Sequence, residues 1–176
     1  MSDLIIDPEV GLILAEAGII TQETNWVEAR KVLTAYIGAE QPIHDDYLSM
    51  HAPSLNAIFK NSFELEAEED AFDEDDQVNP EYFESRLPNV SEIVFIRPVA
   101  PDGVKLALLD KDLFNTPVGE LTQFLAENGL AASPLKANGY SVDLPLGQLV
   151  LTYDCNRDSV HYSDQKARTV SLLLHN

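Results

Sequence analysis

Positive charge is what this chain has least of: 11 Lys and Arg stand against 30 Asp and Glu, for a formal net charge of −19. Phosphate binding needs Lys and Arg gathered on one face, so the deficit argues against a nucleic-acid partner. Anionic membrane surfaces are disfavoured for the same reason. A single cysteine, Cys155, excludes an intrachain disulfide and suits a reducing compartment. The longest apolar runs, around Gly11 to Ala15 and Leu172 to Leu174, fall far short of the ~20 residues of a membrane span. Met1-Ser2-Asp3-Leu4 lacks a basic segment followed by an apolar one, so no signal peptide is visible and a cytoplasmic location is expected. Also missing are GxSxG, GxGxxG and any phosphate-cradling glycine loop; Gly139 and Gly147 read as turn glycines.

What is abundant is carboxylate, and it is concentrated. From Glu64 to Glu84 run eleven acidic residues with no Lys or Arg among them: Glu64, Glu66, Glu68, Glu69, Asp70, Asp73, Glu74, Asp75, Asp76, Glu81 and Glu84. Charges this dense repel one another and raise the cost of a compact state. A chain that keeps them either leaves them solvated or offers them to something positive. Phe63, Leu65 and Phe72 are spaced through the stretch, and Tyr82 and Phe83 follow Pro80 in a short helical pattern to Arg86. These aromatics are available as anchors beside the charge field.

The patterning around this stretch gives an α+β expectation: a helical N-terminal half, an acidic loop, then an antiparallel sheet of about five strands with one packed helix. Residues 1–62 read as a helical region. Asp7-Pro8 offers a cap and a first helical residue, and Gly18 a stop. A second helix is expected from Thr24 to Gly38, with Trp26, Ala29, Leu33, Tyr36 and Ile37 on one face and Glu28 and Lys31 turned away. A third follows Asp45-Asp46, with Leu55, Ile58 and Phe59 as its apolar face beyond Pro53. Residues 63–90 form the acidic connecting segment, and 91–176 the sheet and helix of what is expected to be one compact domain. There, Glu92 to Val99 and Val104 to Leu109 read as a hairpin around Pro101-Asp102-Gly103. Thr116 reads as an N-cap ahead of Pro117, with Val118, Leu121, Phe124 and Leu125 buried and Gly129 as the stop. Tyr140 to Leu144, Gln148 to Tyr153 and Arg168 to Leu174 read as three more strands.

No catalytic, cofactor-binding or metal residue is assigned. Counting from Asp73, oxygen-bearing Asp75, Gln77, Asn79, Glu81 and Glu84 fall where a twelve-residue calcium loop needs ligands. Val78, however, occupies the position whose sharp turn demands glycine, and Pro80 removes a backbone donor. The match is therefore discounted. His44 and His51 are seven places apart rather than at i, i+4, and with His161 and His175 they read as surface or cap residues. Cys155 has Arg157 and His161 nearby in sequence, but Asp154 and Asp158 oppose them, so it reads as structural or incidental. Paired carboxylates for acid–base chemistry cannot be located without a measured separation.

The functional expectation is a small acidic binding or inhibitory protein whose partner is basic. The contact residues expected are Glu68, Glu69, Asp70, Phe72, Asp73, Asp75, Asp76 and Tyr82. Opposed potentials raise association rates, and aromatic anchors beside a charge field are what an interface requires. In size and charge alone the chain is similar to immunity proteins that neutralise secreted bacterial toxins, and to proteins that mimic nucleic-acid charge. No residue motif carries that likeness, and no family follows from it. The alternatives are a structural or assembly module with a solvated acidic loop, or an enzyme of unrecognised type.

Overall fold

In the computed structural model, which describes residues 3–40, 47–51, 56–61, 74–75, 89–97 and 105–174, the chain opens on strands where a helix was expected. β1 (Leu4–Asp7), β2 (Gly11–Leu14) and β3 (Gly18–Ile20) form an antiparallel meander. Leu4 and Ile6 are buried, whereas Ile5 between them is 45% exposed. That is a period of two, which a pleat satisfies and a helix does not. The β-branched isoleucines also favour the strand. Asp7-Pro8 opens a turn instead of a helix. The Asp7 carboxylate accepts a hydrogen bond from the Glu9 N–H at 2.9 Å, and the Asp7 carbonyl accepts one from the Val10 N–H at 3.3 Å. Gly18, expected as a helix stop, begins β3 after a single 3-10 turn at Ala15–Ala17.

The second expected helix does form, as α1 (Trp26–Ile37). The Asn25 side chain caps it by accepting from the Glu28 N–H at 2.9 Å, and Gly38 ends it in the left-handed region. Ala29 and Leu33 are buried, Tyr36 and Ile37 pack against the core, and Glu28 and Lys31 face solvent. The third expected helix is replaced by β4 (Tyr47–His51) and β5 (Asn56–Asn61), which pair antiparallel. Ile58 and Phe59, expected on one helical face, lie on opposite faces of β5. Phe59 is fully buried with Ala57, and Ile58 is only partly covered. The helical N-terminal half is thus overturned: one helix and five strands occupy its described residues.

The remaining elements are β6 (Val90–Ile96), β7 (Leu106–Leu108), β8 (Lys111–Asp112), α2 (Val118–Glu127), β9 (Ala132–Leu135), β10 (Gly139–Leu144), β11 (Gly147–Thr152) and β12 (Thr169–Leu174). The strands form two sheets, one of five in the order β3-β2-β1-β7-β8 and one of seven in the order β4-β5-β6-β12-β11-β10-β9. The expected hairpin between the two runs after Ser91 does not form. β6 lies between β5 and β12 in the larger sheet, whereas β7 lies parallel to β1 in the smaller one. The register sets Leu4 beside Leu106 and Ile6 beside Leu108, so apolar rows of distant segments align and outweigh the local turn signal. This parallel pair also corrects the expectation of a wholly antiparallel arrangement. The last three strands stand where the alternation placed them, as β10, β11 and β12. Helices and sheets do combine in one chain, but the fold is predominantly β, with two α-helices among the described residues.

The buried faces of both sheets and both helices feed one hydrophobic cluster. It includes Phe95, Leu106, Leu108, Leu121, Leu125, Leu149, Leu151, Leu172 and Leu174 of the C-terminal half. At α2 the cap is shifted by one residue from the expectation. The Thr116 hydroxyl donates to the Asp112 carbonyl at 2.6 Å and caps nothing. Pro117 holds the cap position, its carbonyl accepting from the Leu121 N–H at 2.9 Å, while the Val118 N–H is satisfied by the Gln165 carbonyl at 2.8 Å. Buried Leu146, in the β10–β11 turn, donates its N–H to the Pro8 carbonyl at 3.2 Å and ties the two sheets together.

Candidate interaction surface

Of the acidic stretch, the described residues include Glu74 and Asp75, which form an exposed turn. Glu68, Glu69, Asp70, Phe72, Asp73, Asp76 and Tyr82 lie outside the described residues, as do the Pro80–Arg86 pattern and every oxygen-ligand position of the calcium-loop pattern except Asp75. Among the described residues no group of three or more His, Cys, Asp or Glu side chains is placed to hold a metal ion. His161 is exposed, the His51 backbone lies in β4, and His44 and His175 fall outside the described residues.

Cys155 is half-buried against the core, in the segment between β11 and β12. The charges around it are otherwise engaged. Arg157 donates to the Gly139 carbonyl at 2.9 Å and lies 5.7 Å from the centre of the Tyr140 ring. Asp154 pairs with Arg97 at 2.9 Å and with Arg168 at 3.8 Å.

Beside Cys155 lies a cluster of three tyrosines. The Tyr153 and Tyr162 rings meet edge to face with centroids 5.4 Å apart, and Tyr140 lies 6.5 and 6.2 Å from them. Tyr153 is almost fully buried, and neither its hydroxyl nor that of Tyr162 has a protein hydrogen-bond partner. The Tyr162 hydroxyl has a polar neighbour in Tyr140, at a geometry short of a hydrogen bond. Burial pushes Tyr153 well above the ordinary tyrosine range, with Tyr162 and Tyr140 adding to the effect. Burial and Tyr140 together push Tyr162 up to about 12, against the opposing pull of Arg157. These phenols stay protonated at neutral pH and act as packing that holds the β11–β12 connection.

The described surface is most asymmetric at the five-stranded sheet. No Lys or Arg precedes Arg30, so β1, β2 and β3 carry only carboxylates: Asp3, Asp7, Glu9 and Glu16. Lys105 and Lys111 are the cations of the rest of this sheet, at β7 and in β8, whereas Arg97, Lys136, Arg157, Lys166 and Arg168 gather on the seven-stranded sheet and its loops. Across the outward face of the small sheet runs an apolar row. Ile19 is opposite Ile13, Ile13 opposite Ile5, and Ile5 opposite Ala107, after which Asp112 closes the row. Ile5 and Ile19 are each 45% exposed. The equivalent row of the large sheet, Ile58-Val94-Ser171-Val150-Ser141-Ser133, is half hydroxyl. Sequence reasoning missed Ile5, Ile13 and Ile19 because it read residues 1–62 as a helical region, with Ile13 inside a helix from Pro8 to Gly18. Leu4, Ile5 and Ile6 are all apolar, so the alternation of β1 lies in their burial and not in the residue types.

No family model matches the chain, and no curated protein and no solved structure matches it either.

Proposed function

We infer that this is an acidic binding or inhibitory protein whose partner is basic, of the immunity type or a mimic of nucleic-acid charge. One observation carries the inference. Runs of carboxylates with no Lys or Arg among them in the sequence recur in two separate places, the stretch from Glu64 to Glu84 and the three-strand meander from Asp3 to Ile20. Several of the cations that could offset them are committed to internal pairs, as in Arg30 with Glu40 and Lys111 with Glu120. The resulting negative field steers a positive partner and repels anionic ones.

Affinity capture tests this directly. The immobilised chain should retain a basic protein at low salt and release it at high salt, because screening shortens the field's reach. If the captured protein is a nuclease whose activity is lost on binding, the inhibitory form is supported. If soluble DNA competes for the captured protein, so is the charge-mimic form. Retention that is indifferent to salt, or selective for acidic or neutral proteins, would contradict the inference.

A further inference from the structure

Resting on the reading above, we propose that the partner's anchor docks on the outward face of the five-stranded sheet. There the Ile19–Ile13–Ile5–Ala107 row receives an apolar segment flanked by Lys or Arg.

The row is unusual for a solvated sheet face. Among the described residues the exposed large hydrophobics are few, yet Ile5, Val10, Ile19 and Leu109 all belong to this sheet or its turns. Val10 and Leu109 stand in turns at the same end of the sheet, because β7 runs parallel to β1. Isoleucines left outward at consecutive cross-strand positions form a contiguous strip, whereas singly scattered ones need no explanation.

The rim decides what can cover the strip. Asp3 and Asp7 stand two places to either side of Ile5, Glu9 lies in the adjoining turn, and Asp112 ends the row. Lys105 is the cation on this face; Lys111 turns to α2, where it pairs with Glu120 and lies 5.2 Å from the Phe124 ring centre. A second copy of the chain would bring the same carboxylate rim against itself in a two-fold contact, so self-association is opposed. An anionic lipid surface is repelled in the same way. The chemistry that satisfies both strip and rim is an apolar segment with basic flanks, the anchor supplying residence and the charges supplying orientation.

Two synthetic peptides of equal length and equal positive charge serve as probes: one alternating Lys with Val and Leu, the other Lys with Ser. Fluorescence anisotropy at low salt should show the apolar peptide binding the full chain about tenfold more tightly. The Ile5→Ser/Ile19→Ser variant should lose that preference while its affinity for the Lys–Ser peptide stays unchanged. Isoleucine-methyl NMR of the unsubstituted protein gives an independent check. The apolar peptide should shift Ile5, Ile13 and Ile19 and leave Ile58 and Ile96 in place.

Equal, salt-sensitive binding of both peptides, or shifts confined to Ile58 and Ile96, would overturn this docking face while leaving a basic partner standing. Binding of neither peptide, or binding indifferent to salt, would remove the basic-partner reading and the docking face with it. Dimerisation that the double variant abolishes would also overturn the proposal, by making a second copy the occupant.

Discussion

A Cβ placed on Gly11 would lie 2.2 Å from the carbonyl oxygen of Ile20, so the first residue of β2 touches the end of β3 through backbone alone. Gly11 also sits at φ 147, a conformation that side chains resist. Gly38, at the end of α1, shares a positive φ but has open space around it. Gly11→Ala should therefore cost more than Gly38→Ala, at least about 2 kcal/mol against about 1 kcal/mol. Urea unfolding of the two variants measures the difference. Equal losses would mean that the close approach in the meander is absent.

Truncation should separate the core from the outward strip. Leu121 and Leu125 are fully buried, so Leu121→Ala or Leu125→Ala should cost about 2–5 kcal/mol. Ile5→Ser or Ile19→Ser, at positions nearly half open to water, should cost no more than about 1 kcal/mol. Chemical denaturation again decides. A loss at Ile5 as large as that at Leu125 would place the outward face in the core.

The tyrosine cluster gives an alkaline prediction with a definite sign. The native state holds Tyr162 protonated up to about 12 and Tyr153 beyond the ordinary range, whereas the unfolded chain releases those protons near the ordinary tyrosine value of about 10. Unfolded chains then bind fewer protons than native ones, so stability falls as pH rises above the unfolded value. This contribution is fully present below pH ~10 and is lost as the pH climbs through the folded values. Tyr153→Phe should leave neutral-pH stability unchanged or improved, because the hydroxyl it removes is buried without a protein partner. It should also flatten the alkaline decline. A stability loss of more than about 2 kcal/mol at neutral pH would show that the hydroxyl is satisfied after all.

Calcium should leave thermal stability unchanged, since the loop pattern starting at Asp73 has Val78 where glycine is required. A saturable micromolar rise in melting temperature, lost on Glu84→Gln, would restore that pattern to a true site.

Legibility in the sequence followed the range of the interactions. α1 and α2 were readable because caps, stops and apolar faces are local, although at α2 the Gln165 carbonyl meets the first free N–H and moves the cap to Pro117. The strands β10 to β12 were readable because alternation and turn residues agree. β1 to β3 were misread because Asp-Pro and Gly punctuate both helices and turns, and only the alternate burial of Leu4, Ile5 and Ile6 separates the two. β7 was misplaced because its partner, β1, lies about a hundred residues away in the chain, with Lys105 N–H bonded to the Asp3 carboxylate at 3.1 Å. No local signal encodes such a pairing. The acidic stretch was legible as charge. The apolar row was not, because it exists only once β1, β2, β3 and β7 are in register.

The most direct test of a basic partner is the association rate of the captured protein with the parent chain and with the Asp73→Asn/Asp75→Asn/Asp76→Asn variant. Both should be measured by surface-binding kinetics at low salt and at physiological salt. Steering by the acidic stretch requires the parent's on-rate to fall as salt rises, and the variant to associate more slowly at low salt with a nearly unchanged off-rate. A variant that associates as fast as the parent at low salt would show the stretch to be solvated surface, and would contradict the account.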